Sequence, residues 1–280
     1  MGNKTYQEVL SWASSFLEEQ GKEGYAIFYV FLGRKKWTKT DWLLHMKEKM
    51  PQGEQTQLKQ DLNDLLDDYP PQYLLGYEEF YGRLFKVNSA TLIPRPETEE
   101  LVKWCLQNTK NQKEEKVHVV DVGTGTGAIS TTLKLERPQW QVDAVDVSKE
   151  ALEIAQLNSY MLGADVNFYL GNTLDPISTS IDILIANPPY ISQDEWSVMD
   201  ESVRRFEPKL ALFAENDGLA NYQKIAQQAQ EKLSHHGKIF LEIGFNQGAA
   251  VEQIFQKEFP YRKIHRKKDL AGQERMVLVH

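Results

Sequence analysis

At 280 residues the chain is too long for one ordinary helical bundle and suits two modest domains of about 150 residues each. Hydrophobic residues make up 41% and charged residues 26%, which permits a packed core and excludes wholesale disorder. Aspartate and glutamate number 40 against 32 Lys and Arg, and the formal net charge of -8 excludes nucleic-acid binding by bulk electrostatics, although not through a local basic patch.

The first seventy residues read helical. Tyr6, Val9, Leu10, Ala13, Phe16 and Leu17 recur at the i, i+3, i+4, i+7 spacing of one apolar helix face. The apolar run from Tyr25 to Leu32 suits either a strand or a buried helix, with Gly33 as a helix C-cap. Thr40-Asp41 offers an N-cap to a helix through Trp42-Leu43-Leu44, and Pro51-Gln52-Gly53 ends it. Leu58, Leu62, Leu65 and Leu66 mark another helix, stopped by Pro70-Pro71. Between Gly76 and Asn88 the aromatic alternation of Tyr77, Phe80, Tyr81, Leu84, Phe85 and Val87 predicts a hairpin joining two domains. The prolines of Thr91-Leu92-Ile93-Pro94-Arg95-Pro96-Glu97-Thr98-Glu99 hold an extended loop before a helix that starts near Glu97.

Strands and helices then alternate. Strands are predicted at 117–122, 141–147, 166–170, 181–186, 238–243 and 275–280, and helices at 128–135, 149–162, 219–233 and 248–259. Buried runs alternating with helices predict an α/β fold, a Rossmann-like and mostly parallel sheet with helices on both faces. The expected domains are a helical one over 1–73, a hairpin linker over 74–90 and a catalytic one over 91–280.

Cys105 is the one cysteine, so it forms no internal disulfide, and the six histidines lack metal-ligand spacing; no metal is implied. His235-His236, ahead of Gly237, reads as a solvated turn. No basic segment leads into an apolar run at the N-terminus, and Tyr6 stands where a myristoylation signal has Ser or Thr. Tyr25 to Leu32 is far short of the ~20 residues of a membrane helix. The expectation is a soluble, cytoplasmic protein with no membrane partner, and nothing in the sequence calls for an obligate oligomer.

Two motifs carry chemistry. Asp121-Val122-Gly123-Thr124-Gly125-Thr126-Gly127-Ala128 follows a strand and opens a helix, where backbone amides can approach a ligand closely. Its spacing satisfies both a dinucleotide fingerprint and the S-adenosylmethionine version. Asp146, at the end of the next strand, can accept hydrogen bonds from the ribose hydroxyls that either cofactor offers, or can serve as a helix cap. The second motif decides between them. Asn187-Pro188-Pro189-Tyr190 follows the apolar strand at 181–186, at the strand edge where open α/β sheets place ligands. Its two prolines remove two amide donors, so carbonyls stay free to accept. The Asn187 side-chain oxygen and the Pro188 carbonyl can together accept both hydrogens of a planar NH2 group, and Tyr190 offers a ring face for stacking. That arrangement suits methylation of a weakly nucleophilic nitrogen, with no general base, because the methyl donor is already activated and orientation does most of the work.

These stretches resemble the peptide chain release factor glutamine methyltransferases, the PrmC/HemK family. The resemblance is carried by Tyr73-Leu74-Leu75-Gly76, the loop from Thr91 to Glu99, Asp121 to Ala128, Asn187 to Ile191, Arg205-Phe206-Glu207-Pro208 and Leu241-Glu242-Ile243-Gly244. It implies a class I S-adenosylmethionine-dependent methyltransferase domain with a small helical N-terminal domain. It further implies N5-methylation of the glutamine in the Gly-Gly-Gln loop of class I release factors, the helical domain docking the protein substrate. By the same resemblance, Gly123, Thr124, Gly125, Thr126 and Gly127 carry the methionine end of the cofactor and Asp146 its ribose. Asn172 and Thr173 sit by the adenine, and Asn187 lies between cofactor and substrate. Asn187, Pro188, Pro189 and Tyr190 hold the glutamine amide, with Asn187, Pro188 and Tyr190 as the catalytic set. The family pattern has an acidic residue where this chain has Asn172, whose side-chain oxygen can still accept from an adenine amino group. The loop from Arg95 to Glu99 either covers the cofactor pocket or caps the first helix with Glu97 and Glu99. Glu242 is either a support to the site or a solvated strand end.

Rival readings are an adenine-N6 methyltransferase of DNA or RNA, which the acidic balance and the small helical N-terminus disfavour. A nicotinamide dehydrogenase leaves Asn187 to Tyr190 without a role, and a non-enzymatic binding module leaves the chemistry unused.

Overall fold

The structure, a computed structural model, describes residues 4–112 and 116–280. In chain order, helices α1 (Tyr6–Glu19), α2 (Tyr25–Lys35), α3 (Lys39–His45), α4 (Gln52–Leu66) and α5 (Pro71–Leu75) lead into strands β1 (Tyr77–Phe80) and β2 (Arg83–Lys86). Next come α6 (Pro96–Asn108), β3 (His118–Val122), α7 (Ala128–Glu136), β4 (Gln141–Asp146), α8 (Lys149–Leu162), β5 (Asn167–Leu170) and β6 (Ile181–Ala186). The chain closes with α9 (Glu201–Phe206), α10 (Ala220–Lys232), β7 (Leu233–Glu242), α11 (Gly248–Glu258), β8 (Ile264–Lys268) and β9 (Glu274–Val279). None of the described helices is long and apolar enough to cross a membrane.

The chain divides into two compact units, one of Met1–Tyr77 with Asp200–Phe206, the other of Glu78–Met199 with Glu207–His280. In the first, the apolar face of α1 (Val9, Leu10, Ala13, Leu17) packs with Ile27, Val30 and Phe31 of α2 and Leu58, Leu62 and Leu65 of α4. Both α1 and α3 open on capping boxes, Thr5 with Glu8 and Thr38 with Asp41. The α3 cap is therefore Thr38, two residues ahead of the Thr40 expected from sequence. Pro51-Gln52-Gly53 starts α4, with Pro51 at its N-cap, and α3 has already ended at His45. The ambiguous run at Tyr25 is helical. Gly33 lies inside that helix and Lys36 caps it. A Cβ on Gly33 would come within 2.6 Å of the Leu75 side chain, so close packing, not a helix end, calls for glycine there. Asp200–Phe206 belongs to this unit through an Arg205–Asp67 ion pair at 2.9 Å and the Phe206 ring, edge-on to Tyr69.

The second unit is built on a seven-stranded sheet of order β5-β4-β3-β6-β7-β9-β8. Strands β5, β4, β3, β6 and β7 run parallel, and β9 pairs antiparallel with both β7 and β8. The parallel strands are apolar on both faces because helices cover both. Val120, Leu184 and Ile239 face one core with Ile225 and Phe255, while Val119, Ile183 and Phe240 face another with Leu101, Leu133 and Trp140. The hairpin β1-β2 turns through Tyr81-Gly82, both at positive φ as a two-residue turn between twisted strands requires, and Phe80 and Phe85 bury in the second of those cores. Two readings are corrected here. His235-His236 is not a turn but part of β7, which starts at Leu233. Strand β8 is missing from the sequence reading, since its Ile264-His265-Arg266-Lys267-Lys268 is an exposed, charged edge rather than a buried run.

Candidate functional site

From β3 the sheet grows one way into β4 and β5, and the chain then returns to place β6 on the other side of β3. A strand order that reverses this way leaves a crevice at the C-terminal strand ends, where α/β folds bind ligands. A cavity of about 460 Å³ opens there. Gly123 and Gly125 after β3, Asp146 at the end of β4, Asn172 and Thr173 after β5, and Asn187 to Pro189 after β6 all line it. Val122, Val145, Ile225 and Phe213 supply apolar wall, and Thr91-Leu92 with Leu210-Ala211 contribute from two other loops.

The glycine loop is held from beneath. Gly123 N donates to Val145 O at 2.9 Å, and the Thr124 hydroxyl donates to Asp121 Oδ2 at 2.6 Å. Ser130 N donates to the same oxygen at 3.1 Å, while Asp121 Oδ1 is buried without a partner. Burial pushes the Asp121 carboxyl up to about 6, against the pull of the Thr124 and Ser130 groups. Asp146 uses its carboxylate on the loop as well, with Oδ2 accepting from Gly125 N at 2.8 Å and Oδ1 from Ser148 N at 2.9 Å. Burial raises its pKa and those two amides oppose the rise.

At the end of β6, Asn187 Nδ2 donates to the Thr98 hydroxyl oxygen at 3.0 Å. Asn221 Nδ2 donates to Pro189 O at 3.0 Å and Gln247 Nε2 to Tyr190 O at 2.9 Å. Asn187 and Pro188 line the cavity, and Asn187 Oδ1 and Pro188 O accept from no group among the described residues. The site thus keeps two acceptors without partners next to a glycine loop and a strand-end carboxylate.

The profile of the Methyltransferase small domain family matches residues 101–210, and that of the PrmC N-terminal domain matches residues 8–76. A release factor glutamine methyltransferase of Enterococcus faecalis is 59% identical, over 98% of this chain and 99% of its own. One of Lactococcus lactis is 43% identical, over 92% and 94%. The chain belongs to the release factor glutamine methyltransferase family. A methyltransferase from Pyrococcus furiosus shares the fold at a TM-score of 0.53 and 16% identity, covering 71% of this chain and 89% of that one.

In this family member the expected site residues divide into two groups. Gly123, Gly125, Asp146, Asn172, Thr173, Asn187, Pro188 and Pro189 come together on the cavity, whereas Thr124, Thr126, Gly127 and Tyr190 stand behind it. Thr124 and Thr126 are buried, and Gly127 packs against Ala155. Tyr190 is half-buried against the apolar core, where burial pushes its phenol up to about 12. Asn172 Oδ1 accepts from the Thr173 hydroxyl at 2.8 Å.

Of the two roles weighed for Arg95 to Glu99, the structure supports the helix cap: Glu97 and Glu99 occupy the first turn of α6. None of these five residues lines the cavity, which Thr91 and Leu92 reach instead. Arg95 forms an ion pair with buried Glu207, which also accepts from Ile93 N at 3.2 Å. Two of the motif stretches thereby lock together across 112 residues of chain. Glu242 is not a solvated strand end. It is buried and accepts from the Thr98 hydroxyl at 2.7 Å, and burial pushes its carboxyl up to about 7 against the pull of Thr98 and Arg275. Sequence reasoning assigned no role to Thr98, Asn221 or Gln247. A polar residue facing a motif distant in sequence gives no local signal.

Proposed function

We propose that this chain transfers a methyl group from S-adenosylmethionine to the side-chain amide nitrogen of the glutamine in the Gly-Gly-Gln loop of class I peptide chain release factors, in the cytoplasm. The observation that carries the reading is that Asn187 and Pro188, whose Oδ1 and carbonyl oxygen accept from no group among the described residues, line the same cavity as Gly123 and Asp146.

The cavity fits the cofactor the family name implies. Its volume lies in the range of small-molecule sites. A Cβ on Gly123 or Gly125 would meet no protein atom within 4 Å, so the loop backbone stands open to a ligand. Gly123 and Gly125 would admit the methionine end, with Thr124, Thr126 and Gly127 fixing the shape of the loop. Asp146 would take the ribose hydroxyls on its remaining lone pairs, and Asn172 and Thr173 the adenine. When bound, S-adenosylmethionine supplies a sulfonium methyl that is already activated, so the chain need only hold the acceptor nitrogen.

Asn187 Oδ1 and Pro188 O would each accept one N–H of the glutamine amide and so fix its nitrogen. The same two acceptors stabilise the positive charge that grows on nitrogen, where fixed dipoles in a site sheltered from water act most strongly. Pro188 and Pro189 carry no N–H, so no backbone donor competes with the substrate. Tyr190 would support the amide from its place against the core.

Labelled methyl transfer to purified release factor tests the reading. Label is expected on the loop glutamine, lost when that glutamine is substituted and reduced roughly 10²–10³-fold in Asn187→Ala, the range for removing one such stabilising group. Transfer to a DNA or RNA oligonucleotide instead of the release factor would favour adenine as the acceptor.

A further inference from the structure

Asparagine has a handedness problem at this site. Its amide is nearly symmetric in shape, but one end accepts and the other donates. Turned the wrong way, Asn187 would present an NH2 to the NH2 of its substrate, donor against donor.

The structure supplies a directional chain behind Asn187. Asn187 Nδ2 donates to Thr98 Oγ1 at 3.0 Å, and Thr98 Oγ1 donates to Glu242 Oε2 at 2.7 Å. A hydroxyl has a single proton. While Glu242 is ionised and takes that proton, the Thr98 oxygen can only accept, and the group it accepts from is the NH2 of Asn187. The amide oxygen then points away from Thr98. Thr98 and Glu242 are both buried, so water cannot readily substitute for either link.

Three elements meet to make this chain. Thr98 sits in the first turn of α6, Glu242 ends β7, and Asn187 follows β6. The end of β7 is itself fixed, since the Tyr222 hydroxyl donates to Glu242 O at 2.9 Å. The neighbouring carbonyls are closed off by Asn221 on Pro189 and Gln247 on Tyr190. What remains open is the pair a substrate NH2 requires.

We propose that Thr98 and Glu242 are positioning residues that set the polarity of the Asn187 amide, so that its oxygen faces the substrate nitrogen. The proposal rests on the functional reading above and adds to it the device that orients its central residue. Neither residue touches the substrate, and both act through Asn187.

The test compares the full-length wild type with Thr98→Val, which keeps the shape and removes the hydroxyl, Thr98→Ser, which restores it, and Glu242→Gln, whose amide lets the hydroxyl turn either way. Release factor methylation is measured with enzyme concentration set by S-adenosylmethionine binding stoichiometry, so unfolded protein does not count. Thr98→Val is expected to lower kcat roughly three- to tenfold, the factor that one neutral hydrogen bond supplies. Cofactor affinity and the KM for release factor should stay within about twofold of wild type, on the same scale of hydrogen-bond effects. Thr98→Ser should recover kcat, and Glu242→Gln should fall between. Independently, in protein labelled with ¹⁵N at asparagine, the Asn187 side-chain amide should exchange its protons faster in Thr98→Val.

An active wild type with kcat and amide exchange unchanged in Thr98→Val would overturn the relay and leave the functional reading standing. A fall in kcat that Thr98→Ser does not recover, or that cofactor affinity follows, would assign Thr98 a packing role and overturn it too. No methyl transfer to release factor by the wild type would overturn the functional reading itself, and the relay with it.

Discussion

At the N-terminal end of the parallel strands, opposite the cavity, a buried imidazole is held between two acceptors. His118 Nε2 lies 2.8 Å from Asp143 Oδ2 and Nδ1 2.7 Å from Ser180 O, so a doubly protonated ring satisfies both. Burial lowers the His118 pKa, but the Asp143 carboxylate and the Ser180 carbonyl more than offset it, and the net shift is upward from 6.5. Burial likewise raises Asp143, and the bonds from His118 and Asn167 reverse the direction, leaving it below 3.8. The His118 contribution to stability is full below the ordinary imidazole value and is lost as pH rises through the raised folded value. The Asp143 contribution is full above the ordinary carboxylate value and is lost as pH falls through the depressed folded one. The Tm advantage of wild type over Asp143→Asn should therefore be largest between these limits and shrink on both sides. Thermal unfolding from about pH 2 to pH 9 measures it, and a difference that does not vary with pH would remove the charged pair from the account. None of this was visible in the sequence, which places the partners 25 residues apart on adjacent strands. Asn187, by contrast, was legible at once, because the two prolines that follow it restrict what the segment can be.

The glycine loop was also legible as an element, but the jobs of its three glycines were not. All three are at positive φ, with Gly125 at 54° and Gly127 at 75°. A Cβ at Gly125 meets open cavity, whereas one at Gly127 comes within 3.1–3.3 Å of the Ala155 side chain and backbone in α8. Alanine at either position carries backbone strain of about 1–3 kcal/mol. The two variants should differ in what else they lose. Gly127→Ala should lower Tm further, because α7 must move away from α8, while Gly125→Ala should weaken S-adenosylmethionine binding more than it lowers Tm. Calorimetry paired with a cofactor titration separates them, and equal effects from both would refute this division. Element type was readable wherever periodicity was strong, as in α1, α8 and β6. Helix ends and the edge strand β8 were not, because caps depend on single side-chain bonds and a charged edge has no apolar signature.

At the level of the molecule, the helical unit has an apolar core of its own, distinct from the two on the sheet. We propose that this unit docks the body of the release factor, as the helical domain of the family is expected to do. Leu17 is fully buried in that core, and Leu17→Ala should cost about 2–5 kcal/mol of local stability. The expected result is a raised KM for release factor with unchanged cofactor affinity. Parallel loss of both would mean that the helical unit only stabilises the sheet unit. Its boundary was only partly readable, since Asp200–Phe206 belongs to the helical unit although it lies within the second half of the chain.

The sequence by itself determined the alternation of buried strands and helices, the glycine loop, the strand-end Asn187-Pro188-Pro189-Tyr190 and the family resemblance. Each of these is a local pattern, set by backbone geometry within a few residues. Only the tertiary structure decided that Glu242 is buried rather than solvated, that Arg95 pairs with Glu207, and that Thr98 stands between Asn187 and Glu242. Those contacts join groups from 89 to 144 residues apart, and such pairs exist only once the sheet order has brought the strand ends together.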